Sequence, residues 1–200
     1  MNISDLKKKI QTCKNCDLGK EQKKRVSGAG SENPVLLFLG ESPGRREVES
    51  GEAFSGPISE VIDKVCVTLD LTQEQIWKTN VIKCPTPEYR NPYDREIRAC
   101  EVLLKDEIHI LKPKVILAMG RVPAFFVTGS RQTVNEQRRK IHYFSGIPCI
   151  ITFHPSAVKR FPFLEAHLLE DLELFQKIEL GKSSIFNLRK QLEQTLRDKS

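Results

Sequence analysis

Cys13 and Cys16, in TCKNCD, stand with two residues between them. That spacing suits a redox disulfide, a zinc site or an iron–sulfur cluster. Cys84, in KCPTP, follows 68 positions after Cys16, and 15 residues separate it from Cys100, in IRACE. These four lie in polar or proline-rich surroundings, whereas Cys66 and Cys149 fall in apolar runs and read as core residues. Four cysteines suit a tetrahedral ligand set that zinc and iron–sulfur centres both accept. Paired CxxC knuckles would favour zinc, and the second pair is not one. Spacing alone leaves the two open.

A second group of residues carries polar chemistry: Glu41 and Ser42, followed by Pro43, in GESPG, Asn80 in KTNVIKC, and His154 and Ser156 in FHPS. An amide both donates and accepts, and an imidazole can donate without surrendering a proton. A carboxylate such as Glu41 or Glu47 can orient water or stabilise developing positive charge.

The elements that must position these groups alternate between strand and helix patterns. Strands are expected at 34–40, 76–84, 114–120 and 146–155, with helices at 58–69 and 94–112 and a helical tail over about 163–200. Such alternation predicts a parallel α/β sheet. In these sheets ligands bind beyond the carboxyl ends of the strands, where GESPG, Asn80 and His154 fall.

The chain has 200 residues, 39% of them hydrophobic, which suits one domain over 1–200. No run of about 18 apolar residues predicts a membrane span. The N-terminal stretch lacks a signal-peptide pattern, so a cytoplasmic protein is expected, in which cysteines are metal-bound or free rather than paired. The net charge is +6. Residues 1–25 hold eight Lys/Arg against three acids, and Arg131, Arg138, Arg139 and Lys140 form a second basic group. Basic patches suit a polyanion such as nucleic acid, although solvated surface gives the same pattern.

GESPGRREVESGEAFSG (40–56), TNVIKC (79–84), Cys100, KVILAMGR (114–121) and ITFHPS (151–156) come in a fixed order. Together they resemble the family 4, iron–sulfur uracil-DNA glycosylases, over about residues 10–160. The resemblance implies a three-layer α/β/α sandwich with a central, mainly parallel four-stranded sheet. It also implies a 4Fe–4S cluster on Cys13, Cys16, Cys84 and Cys100. The implied activity is removal of uracil from DNA by a monomer. In that pattern Phe54 stacks on the flipped base, Asn80 reads its edge, and His154 lies beside O2. Glu41 and Glu47 are the acidic candidates, and Glu41, Ser42 and Pro43 line the uracil pocket. HPSAVKR (154–160) matches the loop that enters the minor groove. Ser156, Lys159 and Arg160 are its candidate DNA contacts, with Arg138 and Arg139 extending the footprint.

The chain departs from the family pattern at Ser42, where Ala or Gly is usual, at Val48, at SGPIS (55–59), and in AVKR, which leaves Val158 or Phe161 as the wedge. RRKIH (138–142) is similar to a stretch of the covalent uracil-DNA-binding branch, but it follows Cys100 rather than preceding it, so capture by His142 is not expected. A non-turnover or covalent uracil-DNA-binding protein of the same superfamily and a zinc-stabilised nucleic-acid module are the competing expectations.

Overall fold

The computed structural model describes residues 1–21 and 24–179. Six strands form one sheet: β1 (Ala29–Gly30), β2 (Leu36–Gly40), β3 (Ile76–Asn80), β4 (Val115–Met119), β5 (Ile141–Phe144) and β6 (Ile147–Thr152). Their spatial order is β1-β3-β2-β4-β6-β5. The four central strands are parallel, and the two edge strands pair antiparallel. The expected parallel core of four strands is present, and the sheet is wider than expected by these two edges.

Every residue of β2 and β4 is buried. Such strands read as continuous apolar runs because both faces are covered. Successive side chains face opposite sides. Leu37, Leu39, Trp77, Ile116 and Ile151 pack in one core with α1 (Ile3–Gln11), α5 (Asp94–Leu111) and α6 (Arg121–Thr128). Leu36, Phe38, Ile76, Leu117 and Ile150 pack in a second core with α4 (Ser59–Leu69), α8 (Pro155–Arg160) and α9 (Leu164–Glu179). The three remaining helices are short: α2 (Asp17–Glu21), α3 (Arg45–Ser50) and α7 (Val134–Gln137). The result is the three-layer sandwich. Truncating one fully buried leucine, such as Leu37, leaves a cavity worth about 2–5 kcal/mol.

Local chemistry sets the ends of the positioning helices. Glu96 turns back to accept from the Tyr93 amide at 2.7 Å and so starts α5. Lys112 closes it in the left-handed region, and Pro113 prevents continuation. The chain leaves β2 toward β3 on one side and returns to β4 on the other, so the order reverses at β2, where GESPG lies. The expected tail is helical as α9 to Glu179; its remainder, 180–200, lies outside the described residues. Among the described residues no helix is long and apolar enough to cross a membrane.

Candidate functional site

The register of the sheet brings the singled-out residues to one edge. Gly40 pairs with Asn80 at the ends of β2 and β3, and Met119 pairs with Thr152 at the ends of β4 and β6. The two loop beginnings are zipped together: Val81 donates to the Gly40 carbonyl and Ile82 to that of Glu41, both at 2.9 Å.

Glu47, in the first turn of α3, organises one half of the site. One carboxylate oxygen accepts from the Gly44 amide at 2.7 Å. The other accepts from the Phe54 amide at 2.6 Å and from Asn80 Nδ2 at 3.1 Å. Only 6% of Glu47 is exposed. A carboxylate oxygen offers no proton, so the Asn80 atom facing it must be the nitrogen. The amide is thereby held in one orientation, with Oδ1 directed elsewhere. Glu47 is a positioning group for its neighbours, and both its oxygens are occupied by that task.

Phe54 is buried and adopts φ +59°, the left-handed region that an aromatic side chain rarely takes. Such a conformation costs about 1–3 kcal/mol and persists where neighbours over-determine it. Here the Glu47 bond and the packing of the ring against Phe38, with centroids 6.2 Å apart, do so. Gly40 is the close-approach point. A Cβ there would lie 2.1 Å from Asn80 Oδ1 and 2.9 Å from Phe54 Cζ. No side chain can be added without displacing both.

Glu41 follows β2 directly and is half-buried, as is Ser42, whereas Pro43 is buried. Burial pushes the Glu41 carboxyl above its usual range, and the nearby Arg121 guanidinium pulls it the other way. Among the two acidic candidates, Glu41 alone has a carboxylate not committed to the internal hydrogen bonds that hold Glu47.

His154 ends the β6 segment and caps α8. Its Nδ1 accepts from the Ser156 amide at 3.2 Å and lies 2.8 Å from Ser156 Oγ. An amide can only donate, so Nδ1 carries the lone pair and the neutral ring carries its proton on Nε2. Burial pushes the imidazole down to about 4, which keeps it neutral near pH 7. Gly120, at φ +107°, brings the start of α6 against this side chain: a Cβ would sit 3.2 Å from His154 Cβ.

The four cysteines line one cavity between α1, α2, the loop after β3 and α5, together with Ile10, Leu18, Gly19, Ile82, Lys83 and Leu103. All four are free thiols. Among the described residues no three His, Cys, Asp or Glu side chains converge as a ready-made single-ion site. Burial, helped by the neighbouring thiols, pushes Cys84 up to about 12, against the Arg25 guanidinium. Burial pushes Cys100 up to about 11. Arg25 donates to the carbonyls of Cys13 (2.9 Å) and Gly19, while its buried Nε has no protein partner. A soft four-thiol donor set in an apolar cavity beside a cation fits an anionic thiolate-bound iron–sulfur group.

The expected nucleic-acid contacts divide. Ser156, Lys159 and Arg160 are exposed on α8. Lys159 bonds the Pro57 carbonyl at 2.8 Å and Glu60 at 2.6 Å. The Arg160 guanidinium lies over the exposed Phe161 ring, 5.2 Å from its centroid. Val158 is buried, so Phe161, not Val158, is available as a wedge. Arg138 departs from expectation. Its side chain is 1% exposed and ion-paired with Asp171 at 3.1 Å and Glu170 at 2.9 Å, so it fastens α9 and faces no solvent. Arg139 remains exposed, paired with Glu170 at 2.7 Å. His142 lies on edge strand β5 with Nε2 2.8 Å from the Gln137 carbonyl.

Sequence reasoning missed Gly40, Lys83 and Glu107. Glu107 was legible: it falls on the buried stripe of α5 with Cys100, Leu103, Leu104, Ile108 and Leu111, where a charge needs a partner.

Comparison with known proteins adds an independent finding. The family model for the Uracil DNA glycosylase superfamily matches residues 27–176. The chain is 32% identical over 183 residues to the Type-4 uracil-DNA glycosylase of Pyrobaculum aerophilum, covering 88% of this chain and 93% of that protein. It is 30% identical over 185 residues to the Archaeoglobus fulgidus protein of the same name, covering 88% and 92%. Against the Type-4 uracil-DNA glycosylase of Thermotoga maritima it is 31% identical over 169 residues, covering 82% and 88%.

Proposed function

The chain belongs to the uracil-DNA glycosylase superfamily, and on that premise we propose that it hydrolyses the N-glycosidic bond of uracil in DNA, releasing the base and leaving an abasic site. The observation that carries this reading is the joint placement of Phe54, the oriented Asn80 amide and Gly40 at the carboxyl ends of parallel strands.

A base must leave the helical stack before its bond to the sugar can be cut. Phe54 supplies the apolar face for the extruded ring, and Gly40, having no side chain, leaves room for that ring and the Asn80 amide to sit side by side. Asn80 has a second Nδ2 proton for uracil O4 and a free Oδ1 for N3–H. Cytosine presents the opposite pattern, a donor at position 4 and an acceptor at N3, and would leave buried polar groups unpaired. The β3 and β6 ends stand three strand spacings apart, roughly 14 Å at the backbone. Two facing side chains and one pyrimidine ring fill that span. His154 Nε2–H donates to O2, where charge collects as the base departs as an anion. Because the ring is neutral, it stabilises the anion without transferring its proton. Glu41 orients the attacking water and offsets positive charge on the sugar. Water supplies the oxygen to the sugar carbon, and the base takes up a proton after leaving.

Cys13, Cys16, Cys84 and Cys100 hold a 4Fe–4S cluster in this reading. Those four residues would let a bound cluster tie the N-terminal helices to the loop after β3 and to α5. Ser156, Lys159, Arg160 and Arg139 contact the DNA backbone, with Phe161 at the gap left by the base.

The test is incubation with an end-labelled oligonucleotide bearing one uracil, followed by alkali. Strand scission at that position is expected, with free uracil released, and Asn80→Ala should slow it by orders of magnitude while leaving a residual single-turnover rate. Intact oligonucleotide across a range of salt concentrations overturns the proposal.

A further inference from the structure

Lys83 and Glu107 form an ion pair at 2.6 Å with each side chain only 1% exposed. A buried pair contributes little net stability, because desolvation offsets the attraction. Its placement is more informative. Lys83 precedes Cys84, and its Nζ spends its three protons on Glu107 Oε2 (2.6 Å), Thr79 Oγ1 (2.6 Å) and the main-chain carbonyl of Asn80 (2.8 Å). Glu107 lies on α5, two turns after Cys100, and also accepts from Trp77 Nε1 at 2.9 Å and Thr79 Oγ1 at 3.0 Å. Gly28 closes over the pair: a Cβ there would lie 2.1 Å from Glu107 Oε1 and 2.3 Å from Trp77 Nε1.

We propose that Lys83, set by Glu107, is a positioning residue for base selection: it ties the Asn80 backbone to the cysteine-bearing loop and helix. The proposal rests on Asn80 reading the base. Asn80 is then held at two points, its side chain by Glu47 and its carbonyl by Lys83. The strand end cannot slide or rotate away from the extruded base without breaking charge-assisted bonds. A disturbance at Cys84 or Cys100 reaches the reader through one side chain rather than through the whole core.

Removing Lys83 alone strands a buried carboxylate, so the informative variant is Lys83→Met with Glu107→Gln. The glutamine can still accept from Trp77 and donate to Thr79 in place of Lys83; the Asn80 carbonyl loses its charged donor, and the Thr79 hydroxyl proton loses the Glu107 oxygen that accepted it. This variant should keep the iron-to-thiolate absorbance and a denaturation midpoint near the original. Its single-turnover uracil excision should fall about 10- to 100-fold, the factor expected for one charge-assisted bond. Its preference for free uracil over cytosine as inhibitor should fall with it. In an Asn80→Ala background the same pair should cost less than about twofold more, because the effect passes through Asn80. A merely structural role would cost as much in either background. Where the double variant does not fold, Lys83→Gln serves in the same cycle, since a neutral amide can donate to Glu107 but cannot replace the charge-assisted bond to the Asn80 carbonyl. Full excision and unchanged preference in the variant, or additive losses with Asn80→Ala, overturn the coupling. An original chain that excises no uracil overturns the proposed function, and this proposal with it.

Discussion

Replacing Glu47 with Gln should separate the acid's positioning role from water activation. Glu47 accepts three hydrogen bonds, from the Gly44 amide (2.7 Å), the Phe54 amide (2.6 Å) and Asn80 Nδ2 (3.1 Å). Glutamine has one accepting oxygen. Its best placement faces that oxygen to Phe54 and Asn80 and sets its NH₂ against the Gly44 N–H. One charge-assisted bond, worth about 1.5–3 kcal/mol, is lost, and the other two drop to about 0.5–1.5 kcal/mol each. Relief from burying a charge returns part of this, leaving a net cost of about 2–4 kcal/mol. A domain with about 5–15 kcal/mol in hand still folds, so its urea midpoint should fall without loss of cooperativity. Flipping the glutamine presents its NH₂ to Asn80 and lets that amide turn over. Single-turnover excision of uracil should therefore fall, and the preference for uracil over cytosine as free-base inhibitor should shrink. A water-activating role predicts slower excision with stability and preference unchanged. That outcome, or wild-type behaviour in every measurement, would refute the positioning account.

Three further outcomes follow from the same geometry. Burial holds His154 at about 4, below its unfolded value, so the unfolded chain binds the extra proton first. The part of stability linked to this neutral ring is complete above about pH 6.5 and is lost as pH falls toward 4; His154→Asn should flatten the dependence of the denaturation midpoint over that window. Glu41 is held above the usual carboxylate range, so the acidic limb of the excision rate should lie above that range, and Glu41→Gln should remove the limb and slow excision across it; a limb unchanged in the variant would assign it elsewhere. Cys13→Ala should reduce bound iron and lower the denaturation midpoint, while Cys66→Ala should leave the iron content intact; equal iron in both would undo the assignment of ligands.

The strands of the parallel core were legible because both faces of each are covered, which leaves uninterrupted apolar runs such as VLLFLG and VILAMG. The edges were less so. IHYF is short and only partly buried, with no uninterrupted aliphatic run, and its flank RRK is basic, a pattern that suits DNA as well as a strand edge. The Ser145–Gly146 pair, at φ +51° and +81°, is the hairpin signal that marks β5 and β6 as partners. Arg138 shows why charge alone misleads: its acidic partners Glu170 and Asp171 arrive from α9, far along the chain, and no local pattern reveals them. The candidate site residues are legible as ordered motifs, whereas the links between them depend on which face of the sheet each occupies.

That division between faces bears on how the reader is held. Trp77 and Thr79 point toward α5 and meet Glu107 and Lys83. Asn80, one residue on, meets Glu47 and the Phe54 loop through its side chain. A strand alternates its side chains, so one strand end can be gripped from both sides without crowding either. Under the proposed function, a single amide must tell two pyrimidines apart by the direction of its dipole. Free rotation of that amide would erase the distinction, since the flipped form pairs with cytosine as well as the native form pairs with uracil. If Asn80 reads the base as proposed, selectivity depends on the carboxylate that forbids its flip and the lysine that fixes its backbone as well as on the asparagine itself. Substituting either support should damage discrimination even though neither touches the base.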